Sequence, residues 1–495
     1  MKTTLRVCTA AWPLVICLLI PALTRAETPV QTWVQPHNGG FAVVVDGNDD
    51  VVVTRSSATT KYSSAGVPLW TNSFVWPGSD DNEAYALTVD NDNNVIVTGL
   101  SGFFTTYHYA TIKYSSAGVP LWTNRYDGPG DYGDAGLAVA ADGNNDVIVT
   151  GYYISGGYGY ATIKYSSAGV PLWTYRYDVP LNSPSYSDAV ATDGNNNVIV
   201  TGAAASSGGY SDYATIKYTG AGVPLWTNRY NISTNGDSSC AAYAVAVDGN
   251  NDVIVAGMSD LDYATIKYSS AGVPLWTNLY GRCSTNHQFC TMALDRSGNV
   301  IVTGSAAGKG GYSDYVTIKY SSAGVPLWTN RYDGPVNGDD YACGVAVDGR
   351  DNAIVTGYST NSAGGYDYVT IKYSSSGVAL WTARYSGAGN NNNWGSAVAA
   401  DHRGNVIVTG YYDYATIKYI CVPSPVLVGL QLTNGAFYLR VDDVLQPGTL
   451  VIEASTNLAA WTPVFTNTAP TNVLFYADPD ANNHRSRFYR ASQFP

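Results

Sequence analysis

Eight aspartates stand at matched places along this chain: Asp46, Asp90, Asp142, Asp193, Asp248, Asp295, Asp348 and Asp401. Each opens a polar segment such as Asp248-Gly-Asn-Asn-Asp252, where an acid can do one of two things. Its carboxylate can accept backbone N–H groups two residues on and so fix a tight turn. It can also begin a calcium loop, as Asp90-Asn-Asp92-Asn-Asn94 does in outline. Position 6 of that loop is then Val95 rather than Gly, and position 12 is Ser101 rather than Glu. The turn is the expected role, with calcium the weaker alternative and no other cofactor expected. Eight lysines recur in step: Lys61, Lys113, Lys164, Lys217, Lys267, Lys319, Lys372 and Lys418. They could form a cationic ring, but fixed register favours a structural role, with the stem along a sheet and the head on the Asp or a carbonyl.

Other reactive groups are scattered. His37, His108, His287, His402 and His484 form no HExxH or paired spacing, and no CxxC offers a zinc or thioredoxin-type site. Gly209-Tyr-Ser and Gly311-Tyr-Ser begin a Gly-x-Ser-x-Gly elbow without completing it. Cys283 and Cys290 are the closest cysteine pair outside the N-terminal segment and a possible disulfide. Cys290 and Cys343, each five residues before a recurring Asp, are the competing pair. Asn231-Ile-Ser233 is a glycosylation sequon by pattern.

The elements that must position these groups are repeats. Tyr109-Ala-Thr-Ile-Lys-Tyr-Ser-Ser-Ala-Gly-Val-Pro-Leu-Trp122 returns nearly verbatim from Tyr160, Tyr213, Tyr263 and Tyr315. Alternation and β-branched content predict four short strands per unit, in one copy A (242–247), B (253–257), C (263–268) and D (274–280). Four strands in roughly 50 residues is the arithmetic of a β-propeller blade. The pattern Asp-x-x-Gly/Asn-Asn-Val-Ile-Val-Thr-Gly…Asp-Tyr-x-Thr-Ile-Lys-Tyr-x-x-x-Gly-x-x-Leu-Trp resembles the SBBP family of bacterial β-propeller repeats over residues 33–420. The resemblance implies the fold and transfers no catalytic residue. That family's name refers to seven blades, and this chain departs from it.

A, B and C strands number eight, but Gly-x-x-x-Trp strands only seven, ending at Trp70, Trp122, Trp173, Trp226, Trp276, Trp328 and Trp381. No D strand follows Lys418-Tyr419, whereas Val30-Gln-Thr-Trp33 stands just before the first A strand. The expectation is an eight-bladed ring whose last blade takes its outer strand from the N-terminus, leaving no unpaired edge at the seam. Seven blades plus a stray hairpin is the alternative. The tryptophans, Trp33 included, are expected to dock flat on the neighbouring blade. Their spacing from Gly is similar to the docking repeats of eight-bladed quinoprotein dehydrogenases, but the adjacent cysteines and Glu-containing calcium site of those enzymes are missing.

Loop lengths sort the two faces. From each recurring Asp to strand B is always five positions, and from each Lys to the strand-D Trp always nine. The B–C and D–A connections vary, and in a propeller they share one face. Variable loops on a rigid scaffold are where binding usually lives. Theirs are rich in Tyr, Ser, Gly, Asn and Asp, the residues of antibody loops, which makes Tyr153, Tyr158, Tyr210, Tyr312 and Tyr366 the candidate binding residues. The alternative is that Gly and Asp merely make turns there while Tyr fills gaps.

After the stiff Val422-Pro-Ser-Pro425, residues 421–495 read as six strands of a small β-sandwich. Leu450-Val-Ile-Glu-Ala-Ser-Thr-Asn-Leu-x-x-Trp461, Asp478-Pro and Arg487-Phe-Tyr-Arg490 resemble a C-terminal module of secreted verrucomicrobial proteins, which implies export and a sorting, attachment or accessory role. At the other end, Lys2 and Arg6, an apolar run Ala10–Leu23 and Thr24-Arg25-Ala26 read as a signal peptide over 1–26, leaving the propeller 27–420. No later segment is apolar enough to span a bilayer. Only three of the 38 acids are Glu, and 51 residues are Gly, a composition for tight turns and strands rather than helices. A net charge of −12 argues against a nucleic-acid partner. The expected protein is secreted or cell-surface and non-enzymatic, binding an extracellular protein or polysaccharide through its variable face. The alternative is an extracytoplasmic enzyme at the central channel, a glycan hydrolase or lyase with paired carboxylates or a quinoprotein-like oxidoreductase.

Overall fold

The computed structural model of the chain describes residues 3–7, 27–36, 40–74, 79, 81–103, 106–130, 133–155, 158–177, 185–206, 209–232, 239–259, 262–281, 291–387, 392–411, 415–423, 426–433, 436–442, 449–457, 459–468, 473–480, 483 and 487–494. Cys283, Cys290, His37, His287, His484 and Ser233 lie outside them, and with them the proposed disulfide. Among the described residues the only helix is a short 3-10 turn, Lys309–Gly311, and no helix is long and apolar enough to cross a membrane. Two compact units emerge: Gln31–Gly377 with Thr382–Lys418, and Met1–Val30 with Val378–Trp381 and Tyr419–Pro495.

The first unit is built from four-stranded antiparallel sheets, each in simple A-B-C-D order. Blade 3 is representative: A is Ala135–Ala141, B Val147–Ile154, C Tyr158–Tyr165 and D Pro171–Tyr177. Strands B and C are buried nearly throughout, because Val-Ile-Val-Thr-Gly and Tyr-Ala-Thr-Ile-Lys-Tyr pack against neighbouring blades on both faces. Strand D alternates exposed and half-buried residues, as an outer strand should. Strand A of each blade touches strand A of the next, from blade 1 to blade 8 and back to blade 1, so the A strands form the inner wall of a closed ring.

Eight sheets close that ring. The last has the order Glu27–Gln35, Thr416–Pro423, Val406–Tyr411, Trp394–Ala400, so its outer strand comes from the N-terminus as the strand count requires. Across the seam, Thr32 Oγ1 donates to Lys418 O at 3.2 Å and the Gly40 amide to Thr409 Oγ1 at 2.8 Å. His402 Nδ1 lies 2.8 Å from Asp49. The seven-blade alternative is excluded.

The second unit contains the C-terminal module. One sheet pairs Val426–Thr433, Ala436–Asp442 and Val473–Asp478; the other has the order Thr3–Val7, Arg487–Phe494, Thr449–Ser455, Thr462–Asn467. Thr3–Val7 falls in the segment read as a signal peptide and occupies this sheet's edge. Leu439, Val441 and Leu474 from the first sheet meet Leu450, Ile452, Tyr489 and Ala491 from the second in one core. The motif residues pack together: Arg490 grips Glu453 through two bonds of 2.5 and 2.8 Å and lies 4.4 Å over the Trp461 ring, while Tyr489 donates to Asp478 at 2.7 Å.

Candidate binding face

The face carrying the A–B and C–D turns is committed to holding the ring together. Every recurring Asp pairs with the Lys of its own blade at 2.7 to 2.9 Å. In blade 1, Asp46 Oδ1 accepts the amides of Asn48 and Asp50 while Oδ2 accepts Lys61. Asp90, centre of the calcium-like segment, is used the same way, with Asn94 adding a side-chain bond to Oδ2. Burial pushes these carboxyls up, but the Lys, Asn and amide donors outweigh it and hold Asp90, Asp193, Asp295 and Asp348 below the usual range.

The same lysines reach the next blade. Lys61, Lys113, Lys164, Lys217, Lys267 and Lys319 each donate to a carbonyl in its C–D turn at 3.2 to 3.3 Å. The strand-D Trp indole N–H donates to that same carbonyl, as Trp122 does to Ser167 O at 3.0 Å. Its ring lies against the turn glycine: at Gly169, φ +83°, an added Cβ would come 2.6 Å from Trp122. Trp33 repeats both contacts on Ser64 and Gly66, closing the belt through the seam. Left-handed A–B turn residues add a further tie, Asn145 Oδ1 accepting the Asn91 amide and Asn196 Oδ1 the Gly143 amide of the preceding blades. Exposed Val and Leu pairs decorate this rim in every complete Gly-Val-Pro-Leu copy, among them Leu121 and Leu225. Constant loop length on this face does not reveal them, whereas their verbatim repetition in the sequence does.

The opposite face carries the variable loops. Tyr158, Tyr210 and Tyr312 stand exposed at their tips, at 40, 39 and 49%. Tyr366 is half-buried, edge-on to Trp394 and Tyr358. Tyr153 is a correction: it is 3% exposed, inside the core of its blade. Along strand B successive side chains alternate sides, so Tyr152 rather than Tyr153 faces out, and it pairs with Tyr158 at 6.1 Å. Beneath the tips, Arg229–Asp212, Arg331–Asp314 and Arg384–Asp367 tie strand D to strand C at 2.9 to 3.0 Å.

The inner wall adds residues that sequence spacing did not single out. Strand A carries a β-bulge at Tyr85, Leu137, Asp188, Tyr243, Cys343 and Ser396, five positions before the recurring Asp. Phe41 holds that place in blade 1, packed edge-on against Tyr411 at 4.5 Å and Tyr85 at 6.3 Å. Each bulge residue is half-buried between more regular neighbours. Bulges re-aim side chains, and here the re-aimed position is the one that differs in almost every blade. Cys343 is a free thiol, its competing partner Cys290 lies outside the described residues, and burial pushes the Cys343 thiol up to about 12.

Asp188 stands out in this ring. Its Oδ2 is sealed from solvent without a hydrogen-bond partner, and burial pushes the carboxyl up to about 8, although part of the residue reaches solvent. Beside it, Tyr160 departs from its counterparts. Tyr109, Tyr213 and Tyr315 donate to a carbonyl of the next blade at 3.1 to 3.2 Å, whereas the Tyr160 hydroxyl has no partner. Burial, with Asp188 second, raises Tyr160 well above the ordinary phenol range. Asp134 and Asp340, eight residues before a recurring Asp, are likewise pushed by burial up to about 6.

No family model matches the chain, and no curated protein matches it. Solved structures similar to it include the WD40 β-propeller domain of Doa1 (11% identity, TM-score 0.40, covering 69% of this chain and 94% of that one). A chain of a mitotic checkpoint complex gives 10%, 0.42, 83% and 98%, and extracellular domains 1-2 of Drosophila Semaphorin 1b 10%, 0.40, 79% and 87%. The closed ring of sheets carries the fold without them: this is an all-β, eight-bladed β-propeller with a further two-sheet β module.

Proposed function

We propose that the protein is a secreted or surface-held, non-enzymatic scaffold that binds an extracellular protein or polysaccharide through its B–C/D–A face. The observation that carries this reading is a division of labour. On one face the recurring Asp, Lys, Trp and Gly are used up in blade-to-blade bonds. On the other, exposed Tyr158, Tyr210 and Tyr312 surround a wall whose bulge residue changes from blade to blade. Rigid aromatic tips together with a varied inner wall suit recognition of a large ligand. The repeats are proposed to be of the SBBP kind and the C-terminal module to serve export or attachment, on the motifs quoted above.

The test is binding of the chain to a glycan array and to extracellular proteins, repeated with Tyr158, Tyr210 and Tyr312 changed together to Ala. The triple variant should keep its melting temperature and lose well over tenfold in affinity. Leu121→Gln with Leu225→Gln is the matched control on the other face; Asn145 and Asn196 cannot serve, because they bridge blades. Control variants that lose binding while the tyrosine variant binds normally would reverse the assignment. The enzyme reading rests on one observation, Asp188, a sealed carboxyl that stays protonated at neutral pH as a general acid must. Glycan turnover that disappears in Asp188→Asn would favour it.

A further inference from the structure

In blades 2, 4, 6 and 7 three positions are described together on the variable face: the residue five before the Lys, the residue just after strand D, and the residue eight before the next recurring Asp. Because the blades are near copies, each serves as a control for the others. After blade 7 the set is Asp367, Ser386 and Asn393, with Arg384 paired to the single acid. After blade 4 it is Asp212, Asn231 and Cys240, with Arg229. After blade 2 it is His108, Asp127 and Asp134, where both His108 and Arg125 lie 2.7 Å from Asp127. After blade 6 the set is Asp314, Asp333 and Asp340, and one oxygen of each lies within 4.8 Å of the other two. Arg331, bonded to Asp314 Oδ2, offsets one of those three charges.

Two further observations point to a missing positive partner. Asp340 is completely buried; its Oδ2 accepts the Gly334 amide at 2.6 Å, and the Ser359 hydroxyl beside it is itself held by Arg384, which leaves Oδ1 without a well-formed hydrogen bond. Buried carboxylates without a compensating charge are costly and rare. The space beside them is kept open by glycines: an added Cβ would lie 2.8 Å from Asp340 Oδ1 at Gly334, and 2.2 Å from Asp314 Oδ1 at Gly308. Asp333 is the exposed member of the trio and gives the group its access to solvent.

We propose that Asp314, Asp333 and Asp340 hold a divalent cation, calcium by its donor chemistry, where blade 6 hands over to blade 7. All three donors are carboxylate oxygens, which suit a hard cation and not a thiolate- or imidazole-seeking one. Arg331 and the exposure of Asp333 weaken the site, so the affinity expected is that of extracellular modules, Kd about 10⁻⁴ to 10⁻³ M. The cation would fasten the loop from Asp333 to Asp340, which carries the Ser313 amide on Asp339 and so the root of the Tyr312 tip.

The experiment is calorimetric titration of the full chain with calcium chloride, with melting curves at zero and about 10 mM calcium, well above the expected Kd. The expected result is a single saturable site, a calcium-dependent rise in melting temperature, and loss of both in Asp333→Asn and Asp340→Asn. Asp134→Asn, the corresponding residue of the His-containing set, should bind calcium as the parent does. Asp333 is exposed, so its variant should fold even if Asp340→Asn does not. Absence of a calcium-dependent heat and melting shift overturns the proposal, as does unchanged binding in Asp333→Asn or equal loss in Asp134→Asn.

Discussion

Removing the Trp33 side chain tests ring closure at its most specific point. Trp33 is half-buried, its ring lies against Gly66 with 2.6 Å to an added Cβ, and its N–H reaches Ser64 O at 3.3 Å. Large-to-small aromatic substitutions in cores cost about 3–5 kcal/mol, and a half-buried indole should lose about half of that. Loss of the long hydrogen bond adds up to about 1 kcal/mol. Trp33→Ala should therefore cost about 3 kcal/mol. For a cooperative ring of this size that is only about 4 °C in melting temperature, so guanidinium denaturation read by circular dichroism is the better assay. Trp122→Ala, which breaks the same two contacts inside the chain's regular course, provides the yardstick. The two variants should agree within about 1 kcal/mol. Hydrogen exchange should show weakened protection in the first and last blades for Trp33→Ala. A Trp33 variant as stable as the parent, beside a clearly destabilised Trp122 variant, would mean that the N-terminal strand does not seal the ring in solution.

Trp381 should behave differently, because blade 8 has no C–D turn and its buried indole N–H finds no acceptor; Trp381→Phe removes that unpaired donor and should cost less than Trp122→Phe in the same denaturation assay. In the belt, Asp193→Asn leaves Lys217 buried without its counter-ion and should cost about 3–5 kcal/mol, whereas the double change with Lys217→Met should recover most of the loss. Stability against pH should bend in two directions. Asp90, Asp193, Asp295 and Asp348 sit below their unfolded value, so their contribution is present above about pH 4 and is lost as the pH falls. Asp188 sits above its unfolded value, so it favours the folded state at low pH and loses that effect, on the order of a few kcal/mol, as pH rises toward 8. Urea midpoints measured from pH 3 to 9 should show both arms; Asp134 and Asp340, also raised, share the higher-pH arm, so Asp188→Asn should reduce that arm, most strongly at its upper end, and leave the acid arm unchanged.

The belt was legible because each of its parts is a spacing. A Lys nine residues before a Trp and an Asp five before strand B can be read without coordinates, and the N-terminal strand follows from counting seven tryptophan strands against eight of every other kind. Tyr153 was not legible in the same way. Its burial depends on which side of strand B faces the neighbouring blade, and Tyr152-Tyr153 offers the same residue to both. The acidic trio stayed hidden for another reason: Asp314 follows a B–C loop while Asp333 and Asp340 bound the next D–A loop, and no single loop shows a calcium pattern. The one calcium-like pattern visible in a single loop is Asp90-Asn-Asp92, where the acid is consumed by Lys113 and two amides.

The bulge explains how a wall of near-identical strands can carry information. A regular strand A, rich in Ala and Val, must present the same small side chains to each neighbouring blade or the inner ring would not close. A residue inserted out of register is released from that constraint, since it pairs with nothing on strand B. Leu137, Asp188, Tyr243, Cys343 and Ser396 can therefore differ without disturbing the packing on either side. The cost of such freedom appears at Asp188, where an acid at the released position leaves its own Oδ2 and the Tyr160 hydroxyl without partners. An Asp188→Ser change should then raise stability at neutral pH while leaving the blade register intact. A ligand that depends on this residue would be lost at the same time, and a variant that gained stability with unaltered binding would separate the inner wall from the recognition surface.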